Sequence, residues 1–388
     1  MKNPKLQQKV FGVILITLFI GGCNASETST TLPPTPPHPP LFSPTFTQLP
    51  PFPTQTTSVD PLEFVKIVQV APDDTTQNGV FIRLGYVPAL DRVVAVFATY
   101  NLAKPENGCT GPAHVYKVFT VDMQPDGREG VFNCGQGDSA DLFVENTLYD
   151  VHQALVDGTD GWEIRKYDIL TWKQLAEVQY PLSPETHSND MSIAMVNRVL
   201  DVSSLFVTSP GAPAATHHNF FSTDLQFINQ KILSDTENTN GSSTLMIDDT
   251  IYFITGTGMP GDIIVAKYDK DWNYLGTKTI LHNGTWSEGS AFDGHHFYVA
   301  YMYASYHVGQ DYLFDIHLAT FDRDWNLIND RAITHYTEND SVQAWRPWIL
   351  LFENQLYVSY DVYKIDTVNH KELLDTTQAY IALFELTP

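Results

Sequence analysis

Tyr268-Asp269-Lys270-Asp271-Trp272-Asn273 returns further along the chain as Phe321-Asp322-Arg323-Asp324-Trp325-Asn326. In both places an alternating apolar run ends in an acid, an Asp/Asn-rich turn comes next, and a further run begins. Asp and Asn favour such turns because their side chains bond nearby backbone and tolerate left-handed geometry. The Trp is expected to pack between neighbouring units. The same kind of run, ending in an acid, occurs from Tyr116 to Asp122, Trp162 to Asp168, Asn219 to Asp224, Ile263 to Asp269, Ile316 to Asp322 and Tyr380 to Glu385.

Ahead of these runs lies a second recurrent element. Apolar-aromatic pairs open a strand-like stretch at Leu148-Tyr149, Val199-Leu200, Ile251-Tyr252, Phe297-Tyr298 and Leu356-Tyr357, spaced 51, 52, 46 and 59 residues apart. Each comes after a short polar turn: Glu145-Asn146, Asn197-Arg198, Asp248-Asp249, Asp293-Gly294 or Glu353-Asn354. Two β runs around a polar turn read as a hairpin. Asp91-Arg92 and the run Val93 to Phe97 are an earlier copy. Four antiparallel strands in each repeat predict an all-β fold, a β-propeller. No amphipathic helical pattern interrupts the repeat, which argues against a βαβ fold. Six copies of the second element predict six blades, with five or seven as alternatives. The last copy reaches Leu386 without a fourth strand, and the unpaired run Phe64 to Val70 can supply it, joining the chain ends and covering an edge. Cys109 falls between the second and third strands of the first blade and Cys134 at the end of its fourth, so both sit on one face and a disulfide is expected. Closing a loop of about 25 residues contributes roughly 3 kcal/mol in the chain-entropy model.

Nearer the N-terminus, Lys2, Lys5 and Lys9 precede an apolar stretch from Val10 to Ile20 and then Gly21-Gly22-Cys23. The order is that of a secretory signal peptide, and the stretch is shorter than the roughly 20 residues a helix needs to span a bilayer. Ile20-Gly21-Gly22-Cys23 resembles the lipobox of bacterial lipoproteins. The resemblance implies cleavage before Cys23, a lipid on that residue and attachment to the extracytoplasmic side of a membrane in the cell envelope. From Asn24 to Ser58 there are ten prolines, nine threonines and one charged residue, Glu27. Such a segment favours extended, semi-rigid spacer geometry. The expected organisation is a leader over 1–22, a lipidated Cys23 with a linker to 58, and a propeller over 59–388. The chain carries 45 acidic and 22 basic residues, a net charge of −23, with no Lys/Arg cluster, which disfavours nucleic acid as a partner. No cofactor is expected. Acidic surfaces can attract calcium, but no calcium motif is present.

Ligands of propellers meet the face that carries the loops leading into the innermost strands. Those segments hold Asp138 and Asp141, His187 and Asp190, Ser242 and Ser243, Trp286 and Glu288, and Trp345 and Arg346. Trp rings stack on sugar faces and paired carboxylates serve glycoside hydrolysis. Trp286, Glu288, Trp345, Arg346, His187 and Asp190 are the candidate ligand contacts, and Glu288, Asp190 and Asp141 the candidate catalytic carboxylates. The bland alternative is that these polar groups only satisfy backbone and bind water. The stretches Tyr301–Asp311 and Asp361–Leu373, with Tyr303, Tyr306, His307, Tyr363 and His370, are expected to be long loops rimming the same face. His217-His218 and His295-His296, read as neighbours on a strand, point to opposite faces and match no zinc spacing.

The repeats are similar to those of six-bladed propellers of the sialidase-like group, with the Asp-x-Asp-Trp-Asn turns standing where that group has aspartate boxes. They lack the box pattern Ser-x-Asp-x-Gly-x-x-Trp. Phe81-Ile82-Arg83-Leu84 with Val87-Pro88-Ala89-Leu90 echoes the group's early Arg-Ile-Pro segment in another order, and Arg83 and Arg346 are its plausibly placed arginines. The first functional expectation is binding of an extracellular glycan or protein partner at the funnel face. The alternatives are a propeller-type glycoside hydrolase or lyase, and a structural part of an envelope complex that uses the blade sides.

Overall fold

The structure is a computed structural model describing residues 60–70, 79–99, 109, 113–134, 139–156, 159–181, 187–207, 215–233, 240–258, 260–308, 311–337, 340–366 and 371–387. The expected leader, Cys23 and linker lie outside these residues. Those described fall in one compact unit, Thr56–Pro388.

The first strand, β1 (Leu62–Gln69), belongs to the end of the ring rather than to its first blade. That blade is β2 (Gly79–Val87), β3 (Arg92–Thr99), β4 (Ala113–Phe119) and β5 (Pro125–Cys134). The second is β6 (Ser139–Val144), β7 (Thr147–Val156), β8 (Thr159–Asp168) and β9 (Lys173–Pro181). The third is β10 (His187–Val196), β11 (Val199–Val207), β12 (Ala215–Phe221) and β13 (Phe227–Leu233). The fourth begins with β14 (Asn240–Ile247), β15 (Thr250–Gly256) and β16 (Gly261–Asp269) and ends in β17 (Tyr274–Phe292). The fifth continues with β18 (Phe297–Val308), β19 (Asp311–Phe321) and β20 (Leu327–Ala332). The sixth is β21 (Val342–Phe352), β22 (Gln355–Asp366) and β23 (Lys371–Leu386), with β1 on its edge.

Four sheets have four antiparallel strands, and β14 to β20 form a seven-stranded sheet. The latter is two blades. β17 is 19 residues long; Tyr274 to Gly284 pairs with β16 as an outer strand, and Gly284 to Phe292 pairs with β18 as an inner one. Counted by inner strands the propeller has six blades. The expected closure is present: β1 pairs antiparallel with β23, Leu62 opposite Leu386 and Gln69 opposite Tyr380.

Turn chemistry explains the repeat. The inner hairpins carry left-handed residues at Asp91, Glu145, Asn197, Arg198, Asp248, Asp249 and Glu353, with Gly294 in the fifth blade. Such φ values match the twist of paired strands. The turns from third to fourth strand place a left-handed residue at Met123, Trp172, Leu225, Trp272 and Trp325. In the two near-identical copies, the Asp269 and Asp322 carboxylates accept the backbone N–H groups two and four residues on. The turn residue then drops between blades. Trp172 stacks on Tyr116 at 3.8 Å, Trp272 lies 4.6 Å from His218, and Trp325 lies 5.7 Å from Tyr252, each on the preceding blade. The core is accordingly divided into wedges between blades, such as Val94, Val96, Leu148 and Tyr167 between the first two, and Tyr298, Ile316, Leu356 and Phe384 between the last two. Lysines add a second repeated link. Lys66, Lys166, Lys231 and Lys278 each donate to a backbone carbonyl in the turn of the following blade. Cys109 and Cys134 are joined, with Cα atoms 5.3 Å apart.

Two expectations are corrected. Tyr301–Asp311 and Asp361–Leu373 are not long loops; most of each continues the β18–β19 and β22–β23 ladders, because alternating Tyr, Val and Leu extend the strands. His295-His296 sits in the turn between β17 and β18, where Asp293 accepts both backbone N–H groups, so strand alternation does not apply.

Candidate functional site

The inner strands line a central channel, and five of the six depart from regular pairing near their starts. The ladder shifts between Val80 and Arg83, Asn189 and Ser192, Asn240 and Ser242, Thr285 and Gly289, and Trp345 and Trp348. Within four of these bulges stand left-handed residues: Phe81 (φ 57°), Gly241 (φ 56°), Trp286 (φ 49°) and Arg346 (φ 54°). Each lies six residues before the last residue of its inner strand. Asp190 holds the same position in the third blade. A bulge re-aims side chains, and a left-handed bulky residue costs of order 1–3 kcal/mol, so three such residues at one level of one channel mark a site.

The re-aimed groups meet. The Arg346 guanidinium lies 4.0 Å over the Phe81 ring and 5.2 Å over Trp345. Trp286 and Trp345 have centroids 5.4 Å apart. Gly241 permits this: a Cβ there would fall 2.5 Å from the Trp286 ring. Asp361 on β22, wholly buried, accepts the Phe81 N–H at 3.0 Å and Arg346 Nη1–H at 3.4 Å. Burial pushes the Asp361 carboxyl up to about 6, against the opposing pull of Arg346, the Phe81 N–H and Arg83.

Two residues further along the inner strands, Arg83 and Glu288 form an ion pair across the channel, 2 % and 4 % exposed respectively. Glu288 also accepts from Trp286 Nε1–H, and Arg83 lies 5.0 Å over the Trp348 ring. Both Glu288 oxygens are thus engaged. Phe81, Arg83, Ser139, Gln153, Met191, Trp286, Glu288 and Arg346 line a cleft of about 70 Å³ at the channel mouth.

Asp141 is buried beneath Ser139, whose Oγ lies 3.4 Å from it, and faces Asp150 across the β6–β7 ladder. Burial and then the Asp150 charge raise its carboxyl well above the usual range, with Arg83 opposing. Asp150 goes the other way. Burial opposes its ionisation, but His114 and His152, each 3.7 Å away, and Asn133 at 3.0 Å hold it below its ordinary value. Burial works against the His152 charge too, yet Asp150 and Glu163, the latter at 2.7 Å, raise it. The two carboxyls are therefore driven apart in acidity.

Of the residues singled out from sequence, the structure brings Trp286, Glu288, Trp345 and Arg346 together. Asp141 lies below the cleft beside this group. Ser242 and Ser243 lie deeper in the channel. His187 and Asp190 are placed by backbone on β10, Asp190 in the bulge. Tyr363 is buried, and its hydroxyl accepts from Gln343. Asp138 and His370 fall outside the described residues. Among the described residues no group of three or more His, Cys, Asp or Glu side chains could hold a metal ion. Phe81, Ser139, Gln153, Met191 and Asp361 were not foreseen as site residues.

No protein-family model matches the chain, and no curated protein matches it. Solved structures do. A phage phi92 endosialidase matches with a TM-score of 0.54 at 10% identity, over 83% of this chain and 69% of that one. A subtype N11 neuraminidase-like protein of A/flat-faced bat/Peru/033/2010 matches with a TM-score of 0.51 at 9% identity, over 83% of this chain and 94% of that one. The likeness is one of fold: a sialidase-like propeller.

Proposed function

We propose that the chain is a lipid-anchored protein of the cell envelope, facing the extracytoplasmic side, whose propeller binds an acidic extracellular glycan at the channel mouth. The observation that carries the reading is Arg346. Its guanidinium is held against Phe81, Trp345 and Asp361 by a bulge with an unfavourable φ, in a chain of net charge −23. A positive group beside Trp286 and Trp345 suits a carboxylated sugar, with ring stacking on indole and charge pairing to guanidinium. The overall acidity of the chain would repel a polyanion everywhere else, so recognition of an acidic glycan is confined to the mouth.

A melting screen of the Thr56–Pro388 unit against neutral and acidic polysaccharides tests this. Binding to the native state raises stability by about 2.7 kcal/mol at a hundredfold excess over the dissociation constant. Stabilisation by acidic glycans that Arg346→Ala removes is the expected outcome; equal response to neutral glycans, or none, sinks the reading. The membrane half has its own test: Cys23→Ser should move the protein from the membrane fraction to the soluble one, and continued lipid labelling would refute the anchor.

A hydrolase is the second reading, favoured by Asp141 and Asp150 being pushed toward opposite protonation states, as acid–base pairs are, with Arg83, the partner of Glu288, acting on Asp141. Turnover of a glycan found in the screen, lost in Glu288→Gln, would decide for it.

A further inference from the structure

We propose that the channel contains a second ligand site, separated from the mouth by the Arg83–Glu288 pair and built for a small neutral polyol of about monosaccharide size. Beyond that pair, towards the inner hairpin turns, lies a cavity of about 260 Å³, larger than the cleft at the mouth. Its walls come from the inner strands of the second to sixth blades, and it is reached by neither Trp286 nor Arg346.

The lining has two chemistries. Ser243 Oγ, Thr244 Oγ1 and Ser290 Oγ are shielded from solvent and find no hydrogen-bond partner among the described residues, and Ser243 is 8% exposed as a whole. Ser242 is different, because its Oγ meets Ser192 Oγ at 3.1 Å, which in turn meets Ser203 at 2.6 Å. A buried hydroxyl without a partner is costly, so three around one cavity favour an occupant with several donors and acceptors. The rest of the lining is an apolar wall that includes Leu142, Ile193, Leu245, Trp348 and Ile349. Water satisfies the hydroxyls but gains nothing from that wall. A hydroxylated ring satisfies both, its C–H faces against the apolar side chains and its hydroxyl edge on Ser243, Thr244 and Ser290.

Charge selects further. Among the described residues Glu288 is the one ionisable side chain lining the cavity, and Arg83 already neutralises it. A cation finds no free carboxylate there and an anion finds no lining cation, which leaves neutral ligands. Glu288 lines both cavities, so an occupant of the deeper one touches the group that holds Trp286 at the mouth. The inference does not depend on what the mouth binds.

The test uses the full chain and measures dissociation constants for myo-inositol and glucose by calorimetry, with phosphate and methylammonium as charged probes. We expect saturable binding of a neutral polyol, no binding of the charged probes, and at least tenfold weakening in Ser243→Ala and Ser290→Ala, equivalent to about 1.4 kcal/mol. If either serine variant loses its native circular dichroism, Thr244→Val, which removes the third unpartnered hydroxyl at nearly unchanged volume, should weaken binding at least tenfold. No saturable polyol binding, equal binding of a charged probe, or an unchanged constant in correctly folded variants would overturn the proposal.

Discussion

Asp361 accepts a backbone N–H and a guanidinium N–H, yet loss of water outweighs both and its carboxyl stands at about 6. An unfolded chain would titrate it near the usual value of about 3.9. The native state therefore holds this proton longer than the unfolded state does. The contribution of Asp361 is most favourable below pH ~4 and worsens as pH rises through roughly 4 to 6, reaching a cost of about 3 kcal/mol at neutrality. Asp361→Asn should remove that fall, so its stability, measured by urea unfolding, should decline less than that of the parent between pH 4 and pH 7. An identical pH profile would disprove the assignment. Asp150, held low by two imidazoles, contributes with the opposite sign, so the comparison must be with the parent rather than against a flat line. Asp361 was not legible as a site residue because the sequence reading placed it at the start of a rim loop, whereas it continues the β22–β23 ladder. Nothing local distinguishes a carboxylate that reaches another strand's bulge. Glu288 and Arg346 were legible because each stands among Trp residues at the start of an inner strand.

At the level of elements, the fold rests on turns that place bulky residues in left-handed conformation. Trp325, with φ 61°, is buried and stacks on Phe297 at 4.0 Å. Truncating it should cost about 3–5 kcal/mol. Because the conformation suits glycine, Trp325→Gly should be less destabilising than Trp325→Ala by about 1 kcal/mol, the reverse of the order at ordinary strand positions. Guanidinium denaturation of the two variants measures this; alanine proving the milder change would show that the turn relaxes out of its left-handed form. These turns were readable because Asp-x-Asp-Trp-Asn carries its own signal. The bulges of the inner strands were not. A bulge is a backbone event that leaves the apolar pattern intact, and Phe81 lines up with Trp286 and Arg346 only once the strand ends are known. The extended β18–β19 and β22–β23 hairpins were missed for a related reason: their Tyr and His content resembles a binding loop, whereas their alternation is that of a strand.

Across the whole molecule, the ring is held by wedges between blades, by lysines reaching into the next blade's turn, and by β1 against β23. A chain starting at Val70 should melt well below the Thr56–Pro388 unit and, with the β23 edge bare, associate on warming. Light scattering during a thermal scan tests this, and equal melting without association would mean that closure is dispensable. The closure itself was legible, since the last repeat lacked a strand and the first had one to spare. Two joints contrast. Between the fifth and sixth blades the chain leaves its strand at Ala332 and re-enters at Val342. Between the fourth and fifth there is no gap, since β17 runs from one rim to the other side of the next blade's axis without leaving the ladder. That joint is a weld among couplings. Any breathing of the ring must be taken up elsewhere, so Trp286 and Glu288 travel with the fourth blade as one body, and play in the site falls on Arg83 and Arg346, which arrive from the other side.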